Sequence, residues 1–297
     1  MSEFQKMRSQ MESGMGFIAA LDQSGGSTPK ALSLYGVEPS DYSGDEEMFQ
    51  AMHDMRARII LADDFTSEKV IGAILFERTM NNTINGTPVP ELLWQSRGIV
   101  PFLKIDKGLE EQANGVQLLK PMPGLEAQLQ DAKAKGIFGT KERSVIHEAN
   151  AEGIAAIVAQ QFEVGATVTA AGLVPILEPE VNIHSETKAE AEEILEAEIT
   201  KHLNALPDGV GVMLKLTLPS RPGLYDDLAK HPRVLRVVAL SGGYSTDEAS
   251  AKLAENPHMI ASFSRALAEG LNVKMTDAEF NASLGANIDQ IYRASVA

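Results

Sequence analysis

The sequence of 297 residues contains no cysteine, so disulfides, thiolate metal sites and thiol nucleophiles are excluded. Basic side chains are also scarce, since 26 lysines and arginines stand against 41 aspartates and glutamates and give a net charge of −15. Because a surface that binds a nucleic-acid backbone must be basic, nucleic acid is not expected as a main partner. A local basic pocket for a small phosphate is still compatible with this charge balance.

The chain also lacks any long hydrophobic run. Its longest apolar stretches, Val70–Phe76 and Val234–Leu240, have the length of strands and fall far short of the roughly 20 residues that a membrane span requires. The N-terminal segment Met1–Gly14 mixes charged and amide side chains and has no apolar core of the kind found in signal peptides. A cytoplasmic protein with no membrane partner is therefore predicted.

The sequence does contain a repeated alternation of short apolar runs with amphipathic stretches. The runs are rich in Val, Ile and Leu without regular polar alternation, which is typical of buried parallel strands. Segments such as Asp45–Leu61, Glu148–Val164 and Ser185–Leu206 lie between them and predict helices. The eight predicted strands are Met15–Asp22, Val70–Phe76, Ile99–Ile105, Gly136–Ile146, Leu173–Glu178, Gly209–Leu218, Val234–Ser241 and Met259–Ser264.

Eight strand–helix repeats in a chain of this length predict an α/β fold, a (β/α)8 TIM barrel, with residues 1–297 forming a single catalytic domain. The alternative is an open doubly wound sheet, which the absence of a Gly-x-Gly-x-x-Gly pattern after the first strand disfavours. In a barrel, the residues that carry chemistry lie at the carboxyl ends of the strands and point into one pocket. The polar residues at these ends are Asp22, Lys104, Asp106, Lys141, Arg143, Glu178, Glu180, Lys215, Ser241, Gly242, Gly243 and Arg265.

Lys215 lies within the apolar strand Gly209–Leu218. Burial disfavours an ammonium group, lowers the pKa of a lysine and leaves a neutral amine that can attack a carbonyl. A second cation nearby, for which Lys141 is the candidate, would lower the pKa further. From the strand alone, a lysine that reaches water from the open end of the strand is an equally good interpretation.

Glu178 and Glu180 are separated by one residue, so their carboxylates point the same way on an extended strand. Imine formation needs a group that protonates the departing carbinolamine hydroxyl, and paired carboxylates can do this when one raises the pKa of the other. A metal site is the weaker interpretation of the pair, because the six histidines show no ligand spacing.

Two stretches could bind phosphate. Ser241-Gly242-Gly243 ends the seventh predicted strand and Arg265 follows the eighth, where barrels of this type often bind phosphate through backbone N–H groups. The Ser- and Gly-rich stretch Asp22–Thr28 follows the first strand. Two anion sites around one lysine would suit a substrate that is phosphorylated at both ends.

Seven segments, each near a predicted strand end, together resemble the class I fructose-bisphosphate aldolases in a short bacterial form. They are Ala20–Ser27, Leu103–Gly108, Thr140–Ile146, Val174–Glu180, Met213–Lys215, Leu240–Gly243 and Ser264–Leu267. The resemblance implies a lyase of glycolysis and gluconeogenesis that needs neither metal nor cofactor. Such an enzyme cleaves fructose 1,6-bisphosphate reversibly into dihydroxyacetone phosphate and glyceraldehyde 3-phosphate. A homo-oligomer is compatible with the resemblance, because the family includes dimers and tetramers, and for this short form a dimer or a monomer is open.

The resemblance also implies roles for individual residues. Lys215 would form the imine, Glu178 would be the general acid/base with Lys141 close by and Glu180 in support, and Asp22 would take the proton of the C4 hydroxyl. The residues that would hold the C1 phosphate are Ser241, Gly242, Ser264 and Arg265, with Gly243 in the same substrate-binding stretch. The residues that would lie along the chain toward the C6 phosphate are Lys104, Arg143, Ser24 and Ser27.

The sequence departs from the animal enzymes of the family at three positions. Gln23 stands where they have an acid, Ala31 where they have an arginine for the distal phosphate, and Ser264 where they have a glycine. Their long C-terminal tail, whose terminal tyrosine tunes activity, has no counterpart before Ala297. The distal phosphate pocket is therefore the part of the site that the resemblance transfers least well.

Two alternatives remain open from the residues. One is another lysine-imine aldolase on the same barrel, similar to transaldolase or to deoxyribose-phosphate aldolase, which would not require two phosphate sites. The other is a non-catalytic protein that uses an aldolase barrel as a binding scaffold. The complete set of catalytic-type residues argues against this second alternative.

Overall fold

The computed structural model describes residues 1–297 and contains a parallel sheet in which eight strands pair in chain order. We number these strands β1 to β8. Their bounds are Phe17–Leu21, Val70–Leu75, Val100–Lys104, Gly139–Ile146, Val174–Val181, Val212–Thr217, Val234–Leu240 and Met259–Ala261. All eight predicted strands are therefore present, and the fifth continues past its predicted end at Glu178 to include Glu180.

The sheet curves into a nearly closed barrel, and the first and last strands meet at a seam. There the backbone N–H of Ala20 in β1 donates to the carbonyl oxygen of Phe263, just beyond β8, at 3.4 Å. Because an open doubly wound sheet would keep its edge strands apart, the predicted (β/α)8 barrel is confirmed and the alternative is excluded.

Twelve α-helices, α1 to α12, lie before, between and after the strands. Their bounds are Glu3–Ser13, Ser27–Leu34, Gly44–Leu61, Glu77–Met80, Val89–Glu91, Leu125–Ala134, Ala151–Ala170, Lys188–Ala205, Asp226–Lys230, Thr246–Ala254, Arg265–Ala268 and Asp277–Ser295. The three helices predicted from amphipathic spacing correspond to α3, α7 and α8. Short elements complete the chain: a 3₁₀ turn at Pro39–Asp41, a π turn at Leu92–Ser96, and two-residue strands at Thr83–Ile84, Thr87–Pro88 and Val116–Gln117. No helix is both long enough and apolar enough to cross a bilayer.

Helix α1 covers the amino end of the barrel. Its Met7 and Met11 pack against the side chains that fill the barrel interior, among them Phe102 and Phe138. Gln10 holds the helix in place, because its side-chain amide donates to the carbonyl oxygens of Ile71 and Gly98 at 2.8 and 2.7 Å. Helix α1 and these apolar side chains therefore close the barrel interior at its amino end.

A glycine is required where β4 begins. A Cβ atom on Gly139 would lie 2.1 Å from the carbonyl oxygen of Val174 and 3.0 Å from the ring of Phe102. Any side chain there would push β4 away from β5, so this glycine allows the close approach of the two strands that carry the charged residues described below.

Candidate active site

The carboxyl ends of the strands surround a cavity of about 1140 Å³. Every residue that the sequence proposed for catalysis or substrate binding lines it. They are Asp22, Ser24, Ser27, Lys104, Lys141, Arg143, Glu178, Glu180, Lys215, Ser241, Gly242, Gly243, Ser264 and Arg265. The prediction that strand-end residues converge on one pocket is therefore confirmed.

Four buried charges form a chain of ion pairs at the base of the cavity. The Nζ atom of Lys215 lies 3.1 Å from Oε1 of Glu178. Lys141 stands between two carboxylates, with its Nζ 2.9 Å from Oε2 of Glu178 and 2.7 Å from Oδ2 of Asp22. Lys215, Lys141 and Glu178 are only 4%, 2% and 3% exposed. The alternative in which Lys215 reaches water from the end of its strand is therefore wrong.

The strand geometry explains how these side chains meet. On β4 the alternating direction of side chains sends Lys141 and Arg143 into the cavity, and on β5 it does the same for Glu178 and Glu180. The two strands are in parallel register with Arg143 opposite Glu178. Cations and carboxylates therefore alternate between two neighbouring strands.

The two glutamates share one face of β5 as predicted, but they have different partners. Glu178 contacts the two lysines, whereas Glu180 accepts an ion-paired hydrogen bond from Nε of Arg143. The predicted influence of one carboxylate on the other stays a prediction.

The charges in this cluster stabilise one another. Burial by itself would raise the pKa of Asp22, but the positive charges of Lys141 and Lys215 and the hydrogen bond from Lys141 outweigh it and hold the pKa well below the usual range. Burial would likewise lower the pKa of Lys141, but the negative charges of Asp22 and Glu178 outweigh it and raise the pKa well above the usual range. Asp22 therefore remains a carboxylate and Lys141 remains an ammonium at physiological pH.

A second group of charges lies nearer the mouth of the cavity. Lys104 contacts Oδ1 of Asp106 at 2.6 Å, and the backbone N–H of Arg143 donates to Oδ2 of the same residue at 3.3 Å. Lys104 and Arg143 are the two cations proposed for the distal part of the substrate, and both are paired with carboxylates, Lys104 with Asp106 and the Arg143 guanidinium with Glu180. Their charge is partly neutralised before any phosphate arrives.

The loops after β7 and β8 form the opposite side of the cavity. Gly242 has a φ of +61° and Gly243 a φ of +133°, conformations that favour glycine. A Cβ on Gly243 would lie 3.6 Å from Nη2 of Arg265, so the backbone passes close to this guanidinium. Arg265 forms no ion pair with any carboxylate in the structure. An unpaired guanidinium beside exposed backbone amides is suited to binding an anion.

The loop after β1 is held by its own hydrogen bonds. Ser27 accepts from the backbone N–H of Ser24 at 3.1 Å and donates its hydroxyl to the carbonyl oxygen of Ser24 at 2.9 Å. Gln23 donates its side-chain amide to the hydroxyl of Ser264 at 2.9 Å, which connects this loop to the one that follows β8. Two of the sequence departures are therefore partners in the structure.

Sequence reasoning missed Arg56, which lies on α3 behind this loop. Its guanidinium is buried and donates to the carbonyl oxygen of Gln23 and to Oγ1 of Thr79. Burial lowers the pKa of Arg56 to about 10, although the nearby charge of Asp22 acts in the opposite direction. An arginine in an amphipathic helix gives no signal that it is buried, so only the packing identifies it.

The position of Asp106, by contrast, could be recognised in the sequence, because this residue follows a predicted strand end.

Comparisons with known proteins agree with this geometry. The sequence model of the family described as "Fructose-bisphosphate aldolase class-I" matches residues 3–220. The protein named fructose-bisphosphate aldolase class 1 from Synechocystis sp. is 56% identical over 292 residues, which cover 98% of this chain and 97% of the relative. Proteins of the same name from Porphyromonas gingivalis and Clostridium acetobutylicum are 54% and 55% identical, over 97% and 95% of this chain and equal shares of their own lengths.

A solved structure has the same fold. The fructose-bisphosphate aldolase of Plasmodium falciparum, in a complex with TRAP and a small-molecule inhibitor, superposes with a TM-score of 0.79. The match covers 99% of this chain and 94% of that one at 22% sequence identity.

Proposed function

Because the chain belongs to the class I fructose-bisphosphate aldolase family and is therefore a lyase, we propose that Lys215 is the residue that forms the imine with its substrate. As a member of this family, the protein cleaves fructose 1,6-bisphosphate into dihydroxyacetone phosphate and glyceraldehyde 3-phosphate in glycolysis. The family match also decides against the transaldolase-like and scaffold alternatives.

The observation that carries the assignment is the difference between the lysines at the base of the cavity. Lys141 contacts two carboxylates, and its raised pKa keeps it protonated, so it cannot act as a nucleophile. Lys104 lies nearer the mouth and is bound by Asp106. Lys215 is buried and has a single carboxylate partner, Glu178, to which it could pass a proton.

That contact supports a role for both partners in imine formation. Transfer of one proton from Lys215 to Glu178 leaves a neutral amine and a carboxylic acid. The amine adds to the C2 carbonyl of the substrate, and the acid returns its proton to the carbinolamine hydroxyl, which leaves as water. The product is a protonated imine beside a carboxylate, with Lys141 holding Glu178 in position.

Cleavage then requires a base near C4. Asp22 remains ionised because of the lysines around it, so it is available to take the proton of the C4 hydroxyl. The C3–C4 bond breaks, its electron pair moves into the imine to give an enamine, and the aldehyde leaves. Protonation of the enamine at C3 and hydrolysis of the imine release dihydroxyacetone phosphate and regenerate Lys215.

The two ends of the cavity suit the two phosphates unequally. We propose that Arg265, Ser264 and the backbone from Ser241 to Gly243 bind the C1 phosphate, since Arg265 has no carboxylate partner. Lys104, Arg143, Ser24 and Ser27 would face the C6 phosphate. The two cations there are already paired with carboxylates, which predicts weaker binding at this end.

Replacing Arg265 by alanine should raise the Michaelis constant for fructose 1,6-bisphosphate by about 10- to 100-fold, because it removes a charged hydrogen-bond donor from the phosphate. Steady-state kinetics with phosphorylated and unphosphorylated ketoses would measure this effect. The reaction of the unphosphorylated sugar should change little. Equal losses for both sugars would remove Arg265 from the phosphate site.

Prolonged dialysis against EDTA should leave the cleavage rate unchanged. In the proposed reaction the protonated imine takes up the electron pair of the broken bond, so no divalent cation is needed to stabilise the carbanion. The check is the cleavage rate before and after dialysis, with a metal-dependent aldolase as the positive control. A loss of activity that zinc restores would contradict the proposal.

The remaining features of the protein are proposed on the same basis. Its place in glycolysis supports a cytoplasmic location, and the net charge of −15 supports the absence of a nucleic-acid partner. We propose that residues 1–297 act as a single catalytic domain without a resident metal or cofactor. A homo-oligomer is also proposed, from the dimers and tetramers of the family.

A further inference from the structure

The outer face of β4, which packs against the surrounding helices, carries buried polar side chains. In a barrel, the side chains at such positions are usually apolar. Lys141 and Arg143 point into the cavity, so Glu142 and Ser144 point the other way, toward α7. Both residues are 0% exposed, and Gln161 on the facing helix is 1% exposed. A buried polar group costs free energy unless it forms hydrogen bonds, so packing of the core alone does not explain why these three polar residues are here.

Gln161 connects the cluster to the active site. Its Oε1 atom accepts a hydrogen bond from the backbone N–H of Glu178 at 3.0 Å. Its Nε2 atom donates to Oγ of Ser144 at 2.7 Å and approaches the carbonyl oxygen of Glu142 at 3.4 Å. The amide is therefore fixed by β4 and in turn holds the backbone of β5 at Glu178.

Glu142 does not make this connection. Both of its carboxyl oxygens are buried without a hydrogen-bond partner. Burial, followed by the negative charge of Asp106, raises the pKa of Glu142 well above its usual value. Gln161 is therefore the side chain of the cluster that contacts the backbone of an active-site residue.

We propose that Gln161 is a positioning residue for aldol cleavage, which holds the backbone of Glu178 so that its carboxylate stays in contact with Lys215. The inference rests on the proposed role of Glu178 as the general acid/base. That carboxylate lies 3.1 Å from Lys215 and 2.9 Å from Lys141, within the range at which a proton can pass. A displacement of β5 by about 1 Å would lengthen both contacts, and errors of this size are costly in active sites.

The chain offers a matched control in the preceding residue. Gln160 also lies on α7, and its side chain also forms hydrogen bonds with a backbone segment. It accepts from the N–H of Leu119 at 2.8 Å and donates to the carbonyl oxygen of Leu119 at 3.0 Å. Neither Gln160 nor Leu119 lines the cavity. Methionine has a similar length to glutamine and removes the amide in either position.

The experiment compares Gln161→Met, Gln160→Met and the unmodified enzyme. Gln161→Met should lower kcat about tenfold and slow borohydride trapping of dihydroxyacetone phosphate on Lys215 by a similar factor, with the Michaelis constant within about twofold. The shape of the kcat–pH profile should change as well, because a displaced Glu178 would alter the contacts through which protons pass. Gln160→Met should keep the kcat and pH profile of the unmodified enzyme, even if both variants melt at lower temperature.

An unchanged kcat and pH profile in folded Gln161→Met would overturn the proposal. If that variant does not fold, Ser144→Ala provides the test, because it removes the nearer of the two acceptors of the Gln161 amide. It should lower kcat about two- to fivefold, and an unaltered kcat would contradict the positioning role. Failure of the unmodified enzyme to trap dihydroxyacetone phosphate would instead refute the imine assignment itself.

Discussion

Replacing Lys215 by methionine is expected to lower the cleavage of fructose 1,6-bisphosphate by more than about 10⁴-fold, the range found when an enzyme loses its covalent nucleophile. Methionine keeps most of the length of the side chain but has no amine, so no imine can form. Borohydride reduction in the presence of dihydroxyacetone phosphate should label the unmodified enzyme on Lys215 and should leave the variant unlabelled. Peptide mass analysis identifies the modified residue.

The fold should survive this change. Glu178 loses one cationic partner but keeps Lys141 at 2.9 Å, so no buried carboxylate is left alone. The free energy of unfolding should therefore fall by less than the roughly 3–5 kcal/mol that breaking an isolated buried pair costs. Circular dichroism and denaturant unfolding would check this.

Lys107→Met is the matched control for Lys215→Met. Lys107 lines the same cavity but is exposed and pairs with Glu77 at 3.2 Å. The control should retain both cleavage and labelling. Labelling of another lysine in Lys215→Met, with cleavage preserved, would show that the nucleophile has been assigned wrongly.

Replacing Asp22 by asparagine is expected to separate imine formation from bond cleavage. The amide has the shape of the carboxyl group but cannot take the proton of the C4 hydroxyl, so cleavage should fall by about 10²- to 10⁴-fold. Dihydroxyacetone phosphate has no C4, and its imine with Lys215 should form and be trapped by borohydride as in the unmodified enzyme. Loss of trapping together with cleavage would assign Asp22 to imine formation instead.

The same variant should also change how stability depends on pH. The pKa of Asp22 is lower in the folded protein than in the unfolded chain, where a free aspartate titrates near about 4. Its ionised form therefore stabilises the fold above that pH, and the contribution is lost as the pH falls toward the folded-state pKa. The difference in unfolding free energy between the unmodified enzyme and Asp22→Asn should shrink below about pH 4. Acid titration followed by circular dichroism would measure it.

Much of the fold could be predicted because its signals are local. The runs of Val, Ile and Leu with amphipathic segments between them are sufficient for eight parallel strands, and barrel closure follows from their number and order. Residues at strand ends then share one pocket, which is why Asp22, Lys141 and Lys215 could be grouped without coordinates. Helix α1 was missed, because its mixture of charged and amide side chains resembles a solvent-exposed segment.

The pairing of the charges was less predictable. Lys141 appeared in the sequence as a cation that would act on Lys215, yet in the structure its contacts are with Asp22 and Glu178. Which cation each glutamate of β5 contacts depends on the register between β4 and β5, and no local sequence pattern encodes that register. Arg56 and Gln161 lie on amphipathic helices whose orientation on the barrel decides which polar side chains are buried.

The sequence by itself therefore determined the barrel, the pocket at its carboxyl end and Lys215 as the candidate nucleophile. These features depend on short-range periodicity and on residue chemistry. Only the tertiary structure decided that Lys215 is buried beside one carboxylate, that Lys141 lies between two, and that the side chain of Gln161 accepts a hydrogen bond from the backbone of Glu178. Burial and ion pairing depend on distances between segments far apart in the chain, and those distances exist only once the strands and helices have packed.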